Sequence, residues 1–173
     1  MSQMYFAYGS NMLSERLQAR CPAAQPIALA TLTEHRLAFD KISLDGSGKC
    51  TCEPSSSSSV PGVIWQIDDS ERPSLDQAEG LGHGYDVASI EVIDSEGKAR
   101  RVFTYLATHR DASRTPYDWY WALVMAGAMQ HELPDWHLER LKSQARMADP
   151  DVNRPQRLRA LTALIDSGFG ALL

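Results

Sequence analysis

The feature that most constrains this chain is a short apolar run near its start that stops at a glycine. Residues 4–8 have the composition of a buried strand, and Gly9 follows directly. Ser10 or Asn11 can then cap a helix, which we predict over residues 11–20. A strand that enters a helix through glycine presents backbone N–H groups and lets a ligand approach the main chain closely. We therefore expect this turn to bind an anionic group.

A second segment with the chemistry of a site surrounds Glu79. Ser74 to Gln77 fits a capping box, in which a serine is followed three residues later by glutamine. The short helix that it opens would hold Glu79 in its last turn, and Gly80 is suited to end it. Taken alone, this carboxylate is typical of an exposed helix surface, and the Gly9 turn is typical of a capped helix. Neither segment identifies a site by itself.

The order of the remaining elements favours a mixed α/β domain. The hydrophobic pattern predicts four further strands (29–39, 60–67, 85–94 and 100–107) and three later helices (115–133, 135–147 and 155–166). Strands precede helices, without a βαβ rhythm or an internal repeat, which favours a curved or closed sheet over a doubly wound one. A chain of 173 residues is long enough for one well-packed domain and short for two.

Two segments between these strands are predicted to lie at the surface. Asp45 to Gly48 has the residues of a turn. Ser55 to Ser59 is a run of five serines, which we expect to form a flexible surface loop. Pro61 follows closely and indicates that the next strand begins at a sheet edge or a bulge.

Composition excludes several classes of partner. The formal net charge of −5 argues against nucleic acid and against an anionic membrane, because both favour a basic protein face. No apolar run approaches about 18 residues, so we expect no membrane span. The first residues lack a basic stretch followed by an apolar one, so no signal peptide is expected. Three cysteines do not make a disulfide framework, and we expect a cytoplasmic protein.

Motifs for cofactors and metals are incomplete. Gly46 to Lys49 resembles part of a phosphate loop, but Cys50 stands where serine or threonine is needed. Gly80 to Gly84 follows a predicted helix rather than a strand, which argues against a dinucleotide site. Cys50 and Cys52 share one strand face without a second pair of ligands. We therefore expect no cofactor and no metal, and a structural, reduced role for the two cysteines.

Taken together, the segments resemble a known family. Tyr8 to Asn11 (Y-G-S-N) resembles the first signature of the γ-glutamylcyclotransferase-like (AIG2-like) family, and Leu75 to Gly80 resembles the second, which holds its catalytic glutamate. Gly62 to Trp65 and Thr104 to Leu106 are similar to the strands before and after that glutamate. Residues 120–134 resemble the family's tyrosine-bearing helix and its Leu-Pro exit.

The resemblance implies a fold and its extent. It covers residues 5 to about 150, and we expect a single domain over residues 1–173 with a C-terminal helical extension at 151–173. The implied fold is a small, closed or curved mixed β-barrel flanked by α-helices. Glu79 would lie in a cavity at one end of the barrel.

The resemblance also implies a reaction and its residues. The family closes the γ-glutamyl group on itself by intramolecular aminolysis, which releases 5-oxoproline and a free amine. Glu79 would be the general acid and base, a role in which one carboxylate takes a proton and returns it. Substrate-binding residues carried over from the motifs are Tyr8, Gly9, Ser10, Asn11, Tyr85, Tyr105 and Tyr120.

Several questions stay open at the level of sequence. The leading substrate is a γ-glutamyl amino acid or another γ-glutamyl amide, and the leaving amine is not identified. A glutathione-specific enzyme is disfavoured because that branch typically has Y-G-S-L, whereas residue 11 here is asparagine. Two alternatives are removal of a γ-glutamyl protecting group from a biosynthetic or detoxification intermediate, and non-catalytic binding in the same cavity. A homodimer is compatible with the sequence.

Overall fold

The computed structural model describes residues 1–173 and consists of one β-barrel with helices packed around it. The strands are β1 (Ser2–Ala7), β2 (Gln25–Ile42), β3 (Gly48–Asp68), β4 (Tyr85–Asp94) and β5 (Ala99–Ala107). The helices are α1 (Ser14–Gln18), α2 (Arg72–Glu79), α3 (Asp118–Gln130), α4 (Asp135–Lys142) and α5 (Pro155–Asp166). Two short 3-10 helices cover Ser10–Met12 and Gly170–Leu172.

The five strands form a closed barrel in the order β1-β3-β2-β4-β5. Neighbouring strands pair antiparallel except where β1 meets β5 in parallel, with Tyr5 opposite Phe103. This β1–β5 contact closes the barrel, so the sequence prediction of a small mixed barrel flanked by helices is confirmed. Closure also removes the exposed edges of an open sheet.

The longest hairpin, formed by β2 and β3, contains the serine run. Thr33 pairs with Ser59, and His35 pairs with Pro54, so the two-residue step along β2 corresponds to a five-residue step along β3. The extra residues bulge from the ladder while the chain remains extended. The prediction of a flexible loop at Ser55 to Ser59 is therefore wrong. Pairing of β2 with Pro54, just before the run, and with Ser59, at its end, outweighs the low strand preference of serine.

The helix predicted over residues 11–20 is also wrong in form. Ser10–Met12 is a 3-10 turn, Leu13 is extended, and only the short α1 is α-helical. Neither Ser10 nor Asn11 makes a side-chain cap, because Asn11 donates hydrogen bonds to distant residues and the Ser10 hydroxyl accepts one from Arg16. Tertiary contacts thus replace the local contacts that would continue a helix.

The helix that carries Glu79 begins earlier than its predicted capping box. It starts at Arg72 with Pro73 in its first turn, so Ser74 lies inside the helix and caps nothing. The end of the helix is as predicted. Gly80 adopts a left-handed conformation with φ of 70° and caps the C-terminal end of the helix. Glu79 is therefore the final helical residue.

The later helices differ from their predicted limits mainly at their ends. α3 begins at Asp118 rather than at residue 115, because Thr115 and Pro116 accept backbone hydrogen bonds from Gly48 and Met147. α3 ends at Gln130 and α4 at Lys142, both earlier than predicted. The predicted helix over residues 155–166 matches α5. No helix in the structure has the length and apolar character needed to cross a membrane.

The central helix α3 fixes the position of the glycine turn. Every residue from Trp119 to Ala128 is buried, so the helix contacts its neighbours on all sides. At Gly127 the helix comes so close to the Ser10–Met12 turn that an added Cβ would lie 2.6 Å from the Leu13 nitrogen and 2.7 Å from the Met12 Cβ. Glycine at this position permits the close packing of the two elements.

We predict that Gly127→Ala destabilises the protein, although alanine favours a helix by about 1 kcal/mol. Relieving the clash with Met12 and Leu13 requires a backbone shift, and such overpacking typically costs about 1–3 kcal/mol. Urea unfolding should show a lower free energy of unfolding than wild type. The control is Gly170→Ala, where the nearest atom would lie at an ordinary 3.5 Å. Equal stability of Gly127→Ala and wild type would contradict this account of the packing.

Candidate active site

One cavity brings together all of the predicted site residues. It lies where β1 and β5 end and where β3 and β4 begin, with the end of α2 at its rim. Its lining consists of Tyr5, Tyr8, Gly9, Ser10, Asn11, Cys50, Glu79, Tyr85, Tyr105 and Tyr120. The eight residues carried over from the family motifs are all present. Tyr5 and Cys50 are additional.

The Glu79 carboxylate is held at one oxygen and free at the other. Its Oε1 accepts a hydrogen bond from Asn11 Nδ2 at 3.0 Å and from Arg20 Nη1 at 2.5 Å. The side chains of Glu79 and Arg20 are only 16% and 19% exposed. Oε2 makes no hydrogen bond within the protein. The carboxylate is thus fixed in orientation and keeps one oxygen for a ligand.

Asn11 is the residue that connects the parts of this network. Its Nδ2 also donates to the Tyr5 hydroxyl at 3.0 Å, and its Oδ1 accepts from Arg20 Nη1 at 2.8 Å. A buried amide has two donors and one acceptor to satisfy, and here both atoms have partners. The side chain is therefore fixed, and it links the glycine turn to the helix that carries Glu79.

The glycine turn directs unpaired backbone groups at the cavity. The N–H groups of Gly9, Ser10 and Asn11 have no acceptor within the protein, whereas Met12 N–H donates to the Gly9 carbonyl at 3.0 Å. Glycine is favoured here by close packing and not by an unusual φ, which is −119°. An added Cβ would lie 3.1 Å from the Cys50 Cβ. A larger residue would fill the space beside these donors.

Three tyrosines form fixed walls of the cavity. The Tyr8 hydroxyl donates to the Tyr105 carbonyl at 2.5 Å, and the Tyr85 hydroxyl donates to the Cys50 carbonyl at 2.6 Å. The Tyr120 hydroxyl accepts from the Cys50 N–H at 3.1 Å. Burial raises the pKa of Tyr8, Tyr85 and Tyr120 well above the ordinary value, so all three stay protonated. They shape the cavity and cannot act as bases near neutral pH.

Tyr105 is held by a hydrogen bond to the Arg72–Asp76 ion pair of α2. Its hydroxyl donates to Asp76 Oδ1 at 2.5 Å, and the same oxygen accepts from Arg72 Nε at 2.8 Å. Burial, followed by the hydrogen bond to Asp76, raises the pKa of Tyr105. Asp76 and Arg72 lie on α2, so this contact attaches the helix of Glu79 to strand β5.

The structure adds residues that the sequence motifs did not indicate. Arg20 lies just beyond α1, and its role as the partner of Glu79 depends on a contact across 59 residues. Beside the first cavity lies an outer pocket, which shares Ser10, Glu79, Tyr85 and Tyr120 with it. The outer pocket is rich in charge: its lining includes Arg16, Arg20, Lys41, Lys49 and Asp45. No sequence pattern placed these residues together.

We predict that the three cysteine thiols are unreactive in the folded protein. Burial raises the pKa of Cys21 to about 11 and of Cys50 to about 12, and places that of Cys52 well above its usual range. The reactive thiolate is therefore scarce at pH 8. A disulfide reagent at that pH should label native protein much more slowly than urea-unfolded protein.

A second measurement tests whether the cysteines hold a metal. None of the three cysteines belongs to a cluster of three or more His, Cys, Asp or Glu side chains able to hold an ion. A chelator should leave the melting temperature unchanged. Rapid labelling of the native protein, or stoichiometric zinc in protein purified without an affinity tag, would contradict a structural role for Cys50 and Cys52.

Comparisons with known proteins give a consistent assignment. The model of the AIG2-like family matches residues 59–141, which include Glu79. The chain is 35% identical to a human γ-glutamylcyclotransferase over 148 residues, covering 82% of this chain and 78% of the human one. It is 36% identical to the mouse γ-glutamylcyclotransferase over 146 residues, covering 81% and 77% of the two chains.

The fold agrees with these sequence matches. A solved structure of a γ-glutamyl cyclotransferase superposes with a TM-score of 0.84 at 30% sequence identity, covering 94% of this chain and 99% of that one. Similarity at this level extends over the barrel and the helices around it. The chain therefore belongs to the γ-glutamylcyclotransferase family.

Proposed function

We propose that this protein is a γ-glutamylcyclotransferase, which releases 5-oxoproline and a free amine from a γ-glutamyl amide. Relatives of that name cover most of the chain at about 35% identity. The observation that carries the proposal is the Glu79 carboxylate. It is anchored at one oxygen by Asn11 and Arg20, is free at the other, and lines the same cavity as the glycine turn with its unpaired backbone donors.

The reaction needs a proton to be moved and two groups to be positioned. The α-amine of the glutamyl group must lose a proton before it can attack the side-chain carbonyl, and the departing amine must gain one. One carboxylate can do both, and such acid-base catalysis is typically worth about 10²–10⁴ in rate. Because the nucleophile is tethered to its own electrophile, correct positioning supplies much of the remaining acceleration. The chemistry consumes no electrons and requires no cofactor.

Each part of the cavity has a place in this reaction. The unpaired N–H groups of Gly9 to Asn11 would bind the α-carboxylate of the glutamyl group. Glu79 Oε2 would take the proton of the α-amine and return it to the leaving amine. Asn11 and Arg20 act as positioning residues because they hold the other oxygen of Glu79. The buried tyrosines, including Tyr105, would enclose the ring as it closes.

Two alternatives use the same cavity and differ in outcome. A deprotecting enzyme would run the same cyclisation on a γ-glutamylated intermediate and would also release 5-oxoproline. A binding protein would hold a γ-glutamyl compound and release no 5-oxoproline.

We also infer a cytoplasmic location, because all three cysteines are unpaired and a reducing compartment keeps them so.

We predict that Glu79→Gln binds a γ-glutamyl dipeptide but loses at least about 10²-fold in turnover, as expected for a missing acid-base group. The glutamine amide oxygen can still accept the hydrogen bonds from Asn11 and Arg20, so the fold and the cavity should persist. The measurement is 5-oxoproline release, followed by mass spectrometry across a panel of γ-glutamyl compounds. Circular dichroism reports whether the variant is folded.

The matched control is Glu139→Gln, at a carboxylate that is 69% exposed on α4. It should retain wild-type turnover. Absence of 5-oxoproline from wild type with every compound would favour a binding protein. A Glu79→Gln enzyme that keeps most of its rate would falsify the assignment of Glu79 as the proton shuttle.

A further inference from the structure

The outer pocket carries more positive charge than its own carboxylates can neutralise. Four cationic side chains line it, and only Asp45 and Glu79 oppose them. This excess is unexpected in a chain whose formal net charge is −5. The pocket encloses about 300 Å³, at the lower end of the range for small-molecule sites, which is about 300–1,000 Å³.

Two of the four cations already have partners. Arg20 pairs with Glu79, and Lys49 Nζ lies 2.9 Å from Asp45 Oδ2. Lys49 is also held against the rings of three aromatic residues, Tyr117, Trp119 and Tyr120. These two ion pairs account for both carboxylates of the pocket.

The other two cations, Arg16 and Lys41, have no carboxylate partner. Arg16 donates one hydrogen bond, from Nε to the Ser10 hydroxyl at 3.0 Å. Lys41 Nζ makes no hydrogen bond and lies 4.7 Å from the centre of the Tyr85 ring, although the residue is only 8% exposed. Burial lowers the pKa of both side chains from their ordinary values. A buried charge without a counterion is costly, so the pocket is suited to an anionic ligand.

The position of these cations relates them to the leaving amine. Both line the outer pocket and neither lines the inner cavity, where the unpaired N–H groups of Gly9 to Asn11 are available to the glutamyl carboxylate. With the glutamyl group in the inner cavity, the part of the substrate that extends past Glu79 and Tyr85 into the outer pocket would be the amine to be released. Two unpaired cations there call for two negative charges on that amine.

We propose that the outer pocket selects a leaving amine with two carboxylates, so that the preferred substrates are γ-glutamyl derivatives of acidic amino acids. This inference rests on the proposed function, because it assumes that the glutamyl group occupies the inner cavity. Lys41 is its specificity-determining residue: it contributes charge to the outer pocket and takes no part in the network around Glu79.

The test compares two substrates that differ by one charge. γ-Glutamyl-glutamate and γ-glutamyl-glutamine have nearly the same shape, and only the first has a second carboxylate on its leaving amine. Hydrogen bonds to charged groups are worth enough for us to expect about a tenfold or greater preference in kcat/KM for γ-glutamyl-glutamate. Lys41→Met, which keeps the apolar stem of the side chain, should reduce this ratio towards one.

The design separates specificity from folding and from activity. Because both substrates are measured on the same preparation, the ratio does not depend on the fraction of folded enzyme. Lys98→Met removes a lysine that is 64% exposed in the β4–β5 hairpin, and it should leave the ratio unchanged.

The possible results distinguish the proposed substrate specificity from the proposed function. Equal turnover of the two substrates by wild type, or an unchanged preference in Lys41→Met, would overturn the inference and leave the proposed function intact. No 5-oxoproline from either substrate or from any other γ-glutamyl compound would overturn the proposed function as well.

Discussion

The arrangement of the site depends on one hydrogen-bonded triangle, formed by Asn11, Arg20 and Glu79. Its members come from the glycine turn, the chain just after α1 and the last residue of α2. The triangle therefore joins segments that are 59 and 68 residues apart in sequence. Because it occupies only one oxygen of Glu79, it fixes the carboxylate and still leaves it able to exchange a proton.

The surroundings of the triangle are rigid for identifiable reasons. Gly127 allows α3 to pack directly on the glycine turn, and the Tyr105–Asp76 hydrogen bond attaches α2 to the barrel. The tyrosine hydroxyls of the inner cavity are bound to backbone atoms or to fixed side chains, so they define a shape and do not respond to pH near neutrality. The unsatisfied groups of the site itself line the ligand space. They are the backbone donors of the turn, one oxygen of Glu79 and the two unpaired cations of the outer pocket.

Sequence reasoning predicted the inner cavity better than its surroundings. Family motifs along residues 8–134 identified eight lining residues, because the family resemblance supplied long-range information that local patterns lack. The helix over residues 11–20 was wrong because Asn11 bonds to Glu79 and not to its own backbone. The predicted loop at the serine run was wrong because Pro54 and Ser59 pair with β2 and the residues between them stay extended. Arg20 and Lys41 could not be placed in a site from the sequence, since the contacts that place them there depend on how the barrel and α2 come together.

The most direct test of this account is a crystal structure of the Glu79→Gln protein with a γ-glutamyl dipeptide bound. We predict that the glutamyl carboxylate accepts hydrogen bonds from the backbone N–H groups of Gly9 to Asn11. The α-amine should lie on the side of the cavity that residue 79 lines, with the leaving amine directed into the outer pocket. A ligand bound more than one side-chain length from this turn, or with its amine directed away from residue 79, would contradict the account.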